Sequence, residues 1–243
     1  MKVLWRWLAW VLAAVLLLQL FFVLRVASMV VINPESTAFE RSEAWRLAAA
    51  SGALTWRQQW VGYGQISDHL KRAVIASEDD GFVNHDGVDW AAVEKAWQKN
   101  TQAEQRAMNA SQSARKAART PKVVGGSTIT QQLAKNLFLS GERTLLRKAQ
   151  ELVLALSLEL LLSKQRILEI YLNSVEWGDG VFGAEAAARR YYGKSAAQLT
   201  AAEAARLAVM LPRPKYFEKL QQSSYVAGRS AVILGRMPNA VLP

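Results

Sequence analysis

The feature that most constrains the fold is an uncharged apolar run near the N-terminus. Residues 8–24 read LAWVLAAVLLLQLFFVL, and the apolar character continues through RVASMVVI to residue 32, with Arg25 as its one charge. A hydrocarbon core of about 30 Å needs roughly 20 helical residues. The run therefore predicts a membrane-spanning helix, with the long Arg25 side chain reaching toward the outer interface.

The residues that flank this run predict its orientation. Tryptophans at positions 5, 7 and 10 suit an interfacial aromatic belt, and Lys2 and Arg6 favour a cytoplasmic N-terminus. A cleaved signal peptide is the alternative, but its apolar region is usually shorter, and the site Val26-Ala27-Ser28 is an imperfect match. We expect an uncleaved anchor over residues 8–32 behind a short cytoplasmic segment, residues 1–7. The rest of the chain then lies outside the cytoplasmic (inner) membrane.

Composition excludes several kinds of chemistry. The chain has no cysteine, which excludes thiolate nucleophiles, disulfides and thiolate zinc sites together. Its two histidines, His69 and His85, are too few for a histidine-rich metal centre. Thirty Lys and Arg residues against 20 Asp and Glu give a net charge of +10. This charge favours an anionic partner such as nucleic acid, anionic lipid or a phosphate-bearing substrate.

The remainder of the chain predicts a mainly α fold. Capping residues stand before apolar segments of helical period: Ser67, Asp89, Thr128 with Gln131, Ser163, and Thr200 with Glu203. Residues 144–162 are apolar almost all round, which predicts a central buried helix. No alternating strand pattern or internal repeat stands out. Residues 33–60 show little periodicity and are interpreted as a juxtamembrane segment before a domain over residues 61–243.

One segment holds half of the net charge. Residues 98–122, QKNTQAEQRAMNASQSARKAARTPK, carry six Lys and Arg residues against one Glu, and almost no large apolar residue. Such a segment cannot bury much surface. It is predicted to be a mobile loop or a solvated extension of a helix.

Two motif matches lack the context that they need. GDGVFG, residues 178–183, fits the dinucleotide pattern G-x-G-x-x-G, but a predicted helix precedes it where a strand is required. We interpret it as a glycine-rich turn. The acidic stretch SEDDGFVNHDGVD, residues 77–89, lacks the alternate carboxylate spacing of an EF-hand.

Two carboxylates are candidates for chemistry. Glu78 ends an apolar helix, where desolvation raises a carboxyl pKa toward a value useful for proton transfer; an ordinary solvated helix end is the alternative. Glu151 lies in an apolar segment with Arg147 and Lys148 four and three residues before it, so a structural ion pair is the alternative there. Two acids with nearby cations suit glycosyl chemistry, in which one carboxylate activates a nucleophile and charge develops at the anomeric carbon.

Residues 125–136, GGSTITQQLAKN, predict an anion site. Glycines lead into a helix N-terminus, whose free N–H groups and dipole favour a phosphate. Further donors follow on the next turns, at Ser127, Gln132, Lys135 and Asn136. A well-capped amphipathic helix is the alternative; it accounts for Thr128 and Gln131 but not for the whole polar density.

Five separated motifs occur in the order of one known family. They are ASEDDGFVNHDGVD, GGSTITQQLAKNLF, RKAQE, RILEIYLNSVEWGDGVFGAEAAARRYYGK and LPRP. Over residues 60–214 the chain thereby resembles the peptidoglycan glycosyltransferase (transglycosylase) domain of penicillin-binding proteins. Some thirty residues follow LPRP, which leaves no room for a transpeptidase domain. In this respect the chain is similar to the monofunctional members of the family, which are anchored enzymes with this one domain.

The resemblance implies a lysozyme-like, two-lobed α fold with a groove that opens toward the membrane. It implies polymerisation of lipid II by inverting glycosyl transfer, with β-1,4 linkages and release of undecaprenyl pyrophosphate. The implied partners are lipid II, the growing lipid-linked glycan and the membrane; transpeptidases or division proteins are further candidates, and nucleic acid is not expected. No cofactor or protein metal site is expected. Whether a divalent cation, Mg²⁺ or Mn²⁺, binds at the pyrophosphate is left open by the resemblance.

The resemblance also implies roles for single residues. Glu78 matches the general base, which takes the proton from the acceptor's sugar hydroxyl, and Glu151 matches a second acid that orients or stabilises the donor. Substrate-binding positions are matched by Ser127, Thr128, Gln132, Lys135, Asn136 and Arg147. Supporting positions are matched by Asp79, Phe82, His85 and Lys148.

Two other functions are compatible with parts of the sequence. A muramidase would also use a lysozyme-like fold and an acid pair, but a hydrolase has no pyrophosphate for the polar residues 125–136 to hold. A membrane-anchored binding protein would use residues 98–122 on nucleic acid or lipid, with steep salt dependence. This segment, residues 98–122, is longer and more basic than the family resemblance leads us to expect.

Overall fold

The computed structural model describes residues 1–51, 55–114, 126–139, 142 and 144–243, which are mostly helical. The α-helices are α1 (Lys2–Ser28), α2 (Ala38–Ser51), α3 (Asp68–Glu78), α4 (Trp90–Ala114), α5 (Ile129–Phe138), α6 (Leu145–Leu161), α7 (Lys164–Ser174), α8 (Ala184–Tyr192), α9 (Ala201–Met210), α10 (Pro214–Phe217) and α11 (Ser224–Arg236). Three short strands are β1 (Arg57–Gln58), β2 (Glu176–Gly178) and β3 (Val181–Phe182). The predicted mainly α fold is confirmed.

Two groups of helices flank a groove. In one group, α9 packs against α3 and α11; in the other, α5 packs against α2, α6 and α7. An apolar core runs through both groups and includes the fully buried Trp177, Tyr171 and Phe82. The groups meet where α3 ends and α5 begins, because the Asp79 carboxylate accepts a 2.9 Å hydrogen bond from the Ile129 backbone N–H. The last residue of α3 and the first turns of α5 therefore share the groove.

The predicted helix starts are confirmed by their hydrogen bonds. The hydroxyls of Ser67 and Ser163 accept from backbone N–H groups two and three residues on. Asp89 accepts from the Ala92 N–H at 2.8 Å. Thr128 with Gln131 and Thr200 with Glu203 form the reciprocal capping boxes. These starts were predictable because each depends on one side chain and the next turn of backbone.

Helix α1 can cross a membrane by its length and composition, since it has 27 residues and a mean hydropathy of 2.5 over its most apolar window. Its C-terminal part packs on the domain. The Phe22 ring lies 5.4 Å from that of Phe138, Val26 is fully buried, and Arg166 donates to the Met29 carbonyl at 2.8 Å. The anchor and the domain thus share a packed interface.

Helix α6 corrects one prediction. A helix is present over most of residues 144–162, but it is not buried all round: Leu145, Leu146 and Leu160 are 91%, 85% and 84% exposed. Helix α6 also packs against α1, and the Gln19 and Gln150 amides exchange hydrogen bonds of 2.9 and 3.2 Å. An apolar side chain that stays exposed gives the same sequence signal as one in the core, so an all-round apolar pattern alone does not predict burial on every side.

Residues 33–60, which the sequence leaves without an element, contain α2 and β1. Thr37 and Glu40 cap α2 reciprocally, because the Thr37 N–H donates to Glu40 Oε2 at 2.6 Å and the Glu40 N–H donates to Thr37 Oγ1 at 3.0 Å. Burial raises the pKa of Glu40 to about 7, and Gln58 donates to its other oxygen. This segment packs against α5 and pairs with β3, so it helps to build the domain.

The GDGVFG stretch, residues 178–183, joins β2 to β3 and confirms the predicted glycine-rich turn. Gly180 has a φ of +73°, and a Cβ there would lie 2.1 Å from the Thr55 carbonyl oxygen, so a glycine is required. Strand β3 pairs antiparallel with β2 and parallel with β1. Strands of two and three residues are too short to show the alternation by which strands are found in a sequence.

Helix α4 decides between the two predictions for the basic segment, as far as the structure describes it. Residues 98–114 continue the helix that begins at Trp90, so the described part is a helix extension and not a loop. Residues 115–122 lie outside the described residues.

Candidate active site

Glu78 is the last residue of α3 and reaches the groove. Its Oε2 accepts a hydrogen bond from Gln132 Nε2 at 3.0 Å, and the Ser77 hydroxyl lies 3.4 Å from its Oε1. Desolvation by the surrounding protein raises the pKa of Glu78 above its ordinary value of 4.5, while the Gln132 hydrogen bond and the charge of Arg229 act in the opposite direction. A partly dehydrated carboxylate held by one amide is suited to accept a proton.

The loop after α3 is tied to the start of α5. The two oxygens of Asp79 are 2.9 Å from His85 Nε2 and 2.9 Å from the Ile129 backbone nitrogen. The Thr128 hydroxyl donates to the Gly87 carbonyl at 2.7 Å. Phe82 is fully buried, with the Lys164 ammonium 4.6 Å from its ring centroid. These contacts hold α5 in a fixed position beside Glu78.

The start of α5 corrects a second prediction. The sequence predicts free N–H groups there for a phosphate, but the Ile129 N–H donates to Asp79 and the Gln131 N–H donates to the Thr128 hydroxyl. The anion at this helix end is the protein's own Asp79 carboxylate. Two of the N–H groups at this helix end are therefore already engaged by the protein itself.

Glu151 lies on the buried face of α6 and is 3% exposed. Its Oε2 accepts from Arg147 at 2.8 Å, and its Oε1 contacts the Lys148 ammonium. Lys148 also lies 3.4 Å from the Ser127 hydroxyl. The ion pair that the sequence offers as an alternative is thus present. Through it, Glu151 holds Arg147 and Lys148 at the edge of a cavity.

Two cavities meet at Ser127. The first, of about 310 Å³, is lined by Glu151 and by all but one of the residues that the resemblance assigns to substrate binding: Ser127, Gln132, Lys135, Asn136 and Arg147. The second, of about 540 Å³, contains Glu78 and is lined also by Lys95, Lys99, Thr128 and Arg236. Gln132 lines the first cavity and bonds Glu78 of the second. The two acids therefore face neighbouring parts of one groove.

Comparison with known proteins decides the family. The family model described as Transglycosylase matches residues 47–238. The chain belongs to the transglycosylase family. It is 50% identical over 248 residues to the biosynthetic peptidoglycan transglycosylase of Herminiimonas arsenicoxydans, with both chains fully covered. It is 52% identical over 242 residues to the protein of that name from Burkholderia thailandensis, with 98% of this chain and 88% of that one covered.

Membership of the transglycosylases confirms the predicted resemblance, the predicted transferase class and the lysozyme-like fold. Thr128 is the assigned substrate-binding residue that lies apart from the first cavity. Its side chain is buried, and its hydroxyl accepts from the Gln131 N–H and donates to the Gly87 carbonyl. In the structure, therefore, Thr128 caps α5.

The transglycosylase groove contains residues that the sequence did not single out. The Tyr171 hydroxyl of α7 donates a hydrogen bond to Gln132 at 2.9 Å. In the sequence Tyr171 lies in the stretch EIYLN, residues 169–173, whose pattern predicts only a core position. Lys95 of α4 and Arg236 of α11 line the second cavity, together with Lys99 from the basic segment, residues 98–122. Their one sequence signal is positive charge, which most of the basic surface shares.

Within the described ranges, one group of carboxylates has the spacing of a metal site: Glu43, Glu176 and Asp179. The Lys215 ammonium contacts Glu43 and lies 3.4 Å from Glu176, and burial raises the pKa of Glu176 to about 7. A lysine thus already supplies the positive charge among these acids. The group joins α2 to the β2–β3 turn and α10.

Proposed function

We propose that this chain polymerises lipid II into peptidoglycan glycan strands, with release of undecaprenyl pyrophosphate. The observation that carries the proposal is the position of Glu78, a desolvated carboxylate bonded to Gln132 at the junction of two cavities. One of these cavities carries cations and donors of the kind that bind a pyrophosphate. Membership of the transglycosylase family and the names of its relatives support the substrate class.

In the proposed reaction, Glu78 acts as the general base. It takes the proton from the acceptor's sugar hydroxyl, whose oxygen then bonds to the anomeric carbon of the donor. The bond from that carbon to the pyrophosphate oxygen breaks, and the electron pair leaves with the undecaprenyl pyrophosphate. Attack opposite to the leaving group inverts the anomeric centre and gives a β-1,4 linkage.

The donor pyrophosphate is placed in the cavity of about 310 Å³. Lys135, Arg147 and Lys148 line it against Glu142 and Glu151, which gives three positive and two negative side chains, a net +1. In this arrangement Glu151 orients Arg147 and Lys148 and makes no bond to the sugar itself. Fixed cations at the leaving oxygens stabilise the charge that develops there. No metal is required by this assignment, and a divalent cation at the pyrophosphate stays compatible with it.

The acceptor is placed in the cavity of about 540 Å³, which contains Glu78. The anchor helix keeps the groove beside lipid-linked substrates, because α1 packs directly on α5 and α6. We assign the N-terminus to the cytoplasm and the domain to the outer side of the inner membrane, since Lys2 and Arg6 precede the span. Transpeptidases or division proteins stay candidate partners.

The assay that tests this function supplies purified lipid II in detergent to the full-length chain. We expect long glycan strands and release of undecaprenyl pyrophosphate. A muramidase would shorten existing strands and leave lipid II unconsumed, so pre-formed glycan is the second substrate. No polymer in any detergent that keeps the protein folded would contradict the proposal.

A topology measurement tests the orientation. The chain has no cysteine, so a single cysteine introduced at Lys2 or at Lys219 can be labelled alone. With a membrane-impermeant maleimide on spheroplasts, we expect labelling at position 219, which lies in the domain, and none at position 2 until the membrane is opened. The reverse pattern would contradict the assigned orientation.

A further inference from the structure

Gln132 stands between two side chains from different helices. Its Nε2 lies 3.0 Å from Glu78 Oε2 at the end of α3, and its Oε1 accepts from the Tyr171 hydroxyl of α7 at 2.9 Å. Tyr171 is 0% exposed and is among the largest fully buried side chains. A chain of two hydrogen bonds therefore runs from the core to the carboxylate in the groove.

The chemistry of the three groups makes the orientation of this amide matter. An ionised carboxylate only accepts hydrogen bonds, so Glu78 needs the NH₂ side of Gln132. A tyrosine hydroxyl can donate or accept, and burial raises the pKa of Tyr171 well above its ordinary value of 10, so the hydroxyl keeps its proton. If the amide turned over, its oxygen would face Glu78, an arrangement that suits only the protonated carboxyl.

We propose that Tyr171 is a positioning residue for glycosyl transfer: by donating to Gln132 Oε1 it holds the NH₂ group of Gln132 toward Glu78 and so favours the ionised, correctly aimed base. This inference rests on the proposed role of Glu78. Tyr171 itself touches neither substrate nor reacting atoms. Its effect passes through Gln132.

Other groups also set the proton affinity of Glu78. Arg229 of α11 favours its ionised form, and Asp79 opposes it. The cavity around Glu78 also contains charged residues from α4, α11 and the loop after α3: Asp80, Asp89, Lys95, Lys99 and Arg236. Removal of the Tyr171 hydroxyl leaves all these charges in place. A change in the titration of Glu78 would then report the amide alone.

The test compares two tyrosine-to-phenylalanine variants of the full-length chain. Tyr171→Phe removes the donor to Gln132. Tyr191→Phe is the matched control, because the Tyr191 hydroxyl also donates one partly buried hydrogen bond, to the Trp177 carbonyl at 2.8 Å. Tyr191 lines neither cavity of the groove. The readout is kcat/KM for lipid II as a function of pH, with thermal melting of each variant alongside.

In the wild type we expect activity to fall as the pH decreases through a pKa above 4.5, because burial raises the pKa of Glu78 and the base must be ionised. In Tyr171→Phe this acid limb moves to higher pH by about one unit, so that kcat/KM on the limb is about tenfold lower. Tyr191→Phe keeps the wild-type limb. A Tyr171→Phe limb that coincides with that of the wild type overturns the proposal, whatever the plateau rate.

A second variant covers the case in which Tyr171→Phe does not fold. Gln132→Met keeps an unbranched side chain of similar length and removes the amide, so we expect an upward shift of the limb at least as large as that of Tyr171→Phe, and an unmoved limb overturns the proposal. If both single variants fold, the double variant should show no larger shift than Gln132→Met, because the effect of Tyr171 passes through that amide. Failure of the proposed function looks different, since the wild type would then make no polymer at all.

Discussion

Replacement of Glu78 by glutamine is expected to remove glycan polymerisation while the protein stays folded. Glutamine has the shape of glutamate and can still accept from Gln132 Nε2, which lies 3.0 Å from the carboxylate. It cannot take a proton from the acceptor hydroxyl. Loss of a general base lowers turnover by about 10²–10⁴-fold, which a lipid II consumption assay can measure.

The stability of the Glu78→Gln variant separates loss of chemistry from loss of fold. Because burial raises the pKa of Glu78 above 4.5 in the folded protein, the folded state binds the proton more tightly than the unfolded chain does. The stability that this contributes is present below the unfolded pKa and is lost as the pH rises through the folded pKa. At pH 7.5 the variant should therefore melt at or above the wild-type temperature. Inactivity together with a lower melting temperature would point to misfolding.

Replacement of Glu151 by glutamine is expected to lower both activity and stability. The change leaves Arg147 and Lys148 without the carboxylate that they share, and Arg147 Nε is already buried without a hydrogen-bond partner among the residues that the structure describes. Loss of a pre-oriented electrostatic contact at a leaving group lowers turnover by about 10²–10³-fold. Loss of one partner of a buried hydrogen bond costs about 1–3 kcal/mol of folding free energy. Lipid II turnover and thermal melting measure the two effects.

The chain offers a matched control for Glu151. Glu185 is also 3% exposed and also pairs with an arginine four residues away, Arg189, at 2.8 Å. It lies in α8 and lines neither cavity of the groove. Glu185→Gln should therefore lower the melting temperature and keep the turnover of lipid II. If Glu151→Gln behaves in the same way, Glu151 is a structural ion pair and its assigned role in donor binding is wrong.

The elements that the sequence predicted well are those whose signals are local. Ser67, Asp89 and Thr128 each start a helix through a bond to the following turn. Helix α2 has the same kind of signal in Thr37 and Glu40, but its weak apolar periodicity concealed it. The exposed face of α6 has the same apolar composition as its buried face, so the apolar pattern alone does not show which of the two packs in the core.

The candidate site shows the same division. The motifs and the family resemblance assign Gln132, Lys135 and Arg147 to substrate binding, and in the structure all three line one cavity. The occupation of the α5 N-terminus by Asp79 could not be predicted, because it depends on how the loop after α3 folds back. Tyr171 was missed for the same reason. Its bond to Gln132 exists only when α5 and α7 are packed against each other.

The measurement that tests the central claim most directly is the rate of lipid II consumption by the wild type and by Glu78→Gln, side by side in one detergent at pH 7.5. Both proteins must show cooperative thermal unfolding in that detergent. The account predicts long glycan from the wild type and a rate lower by about 10²–10⁴-fold for the variant. A folded Glu78→Gln protein that consumes lipid II within a few-fold of the wild-type rate would contradict Glu78 as the general base.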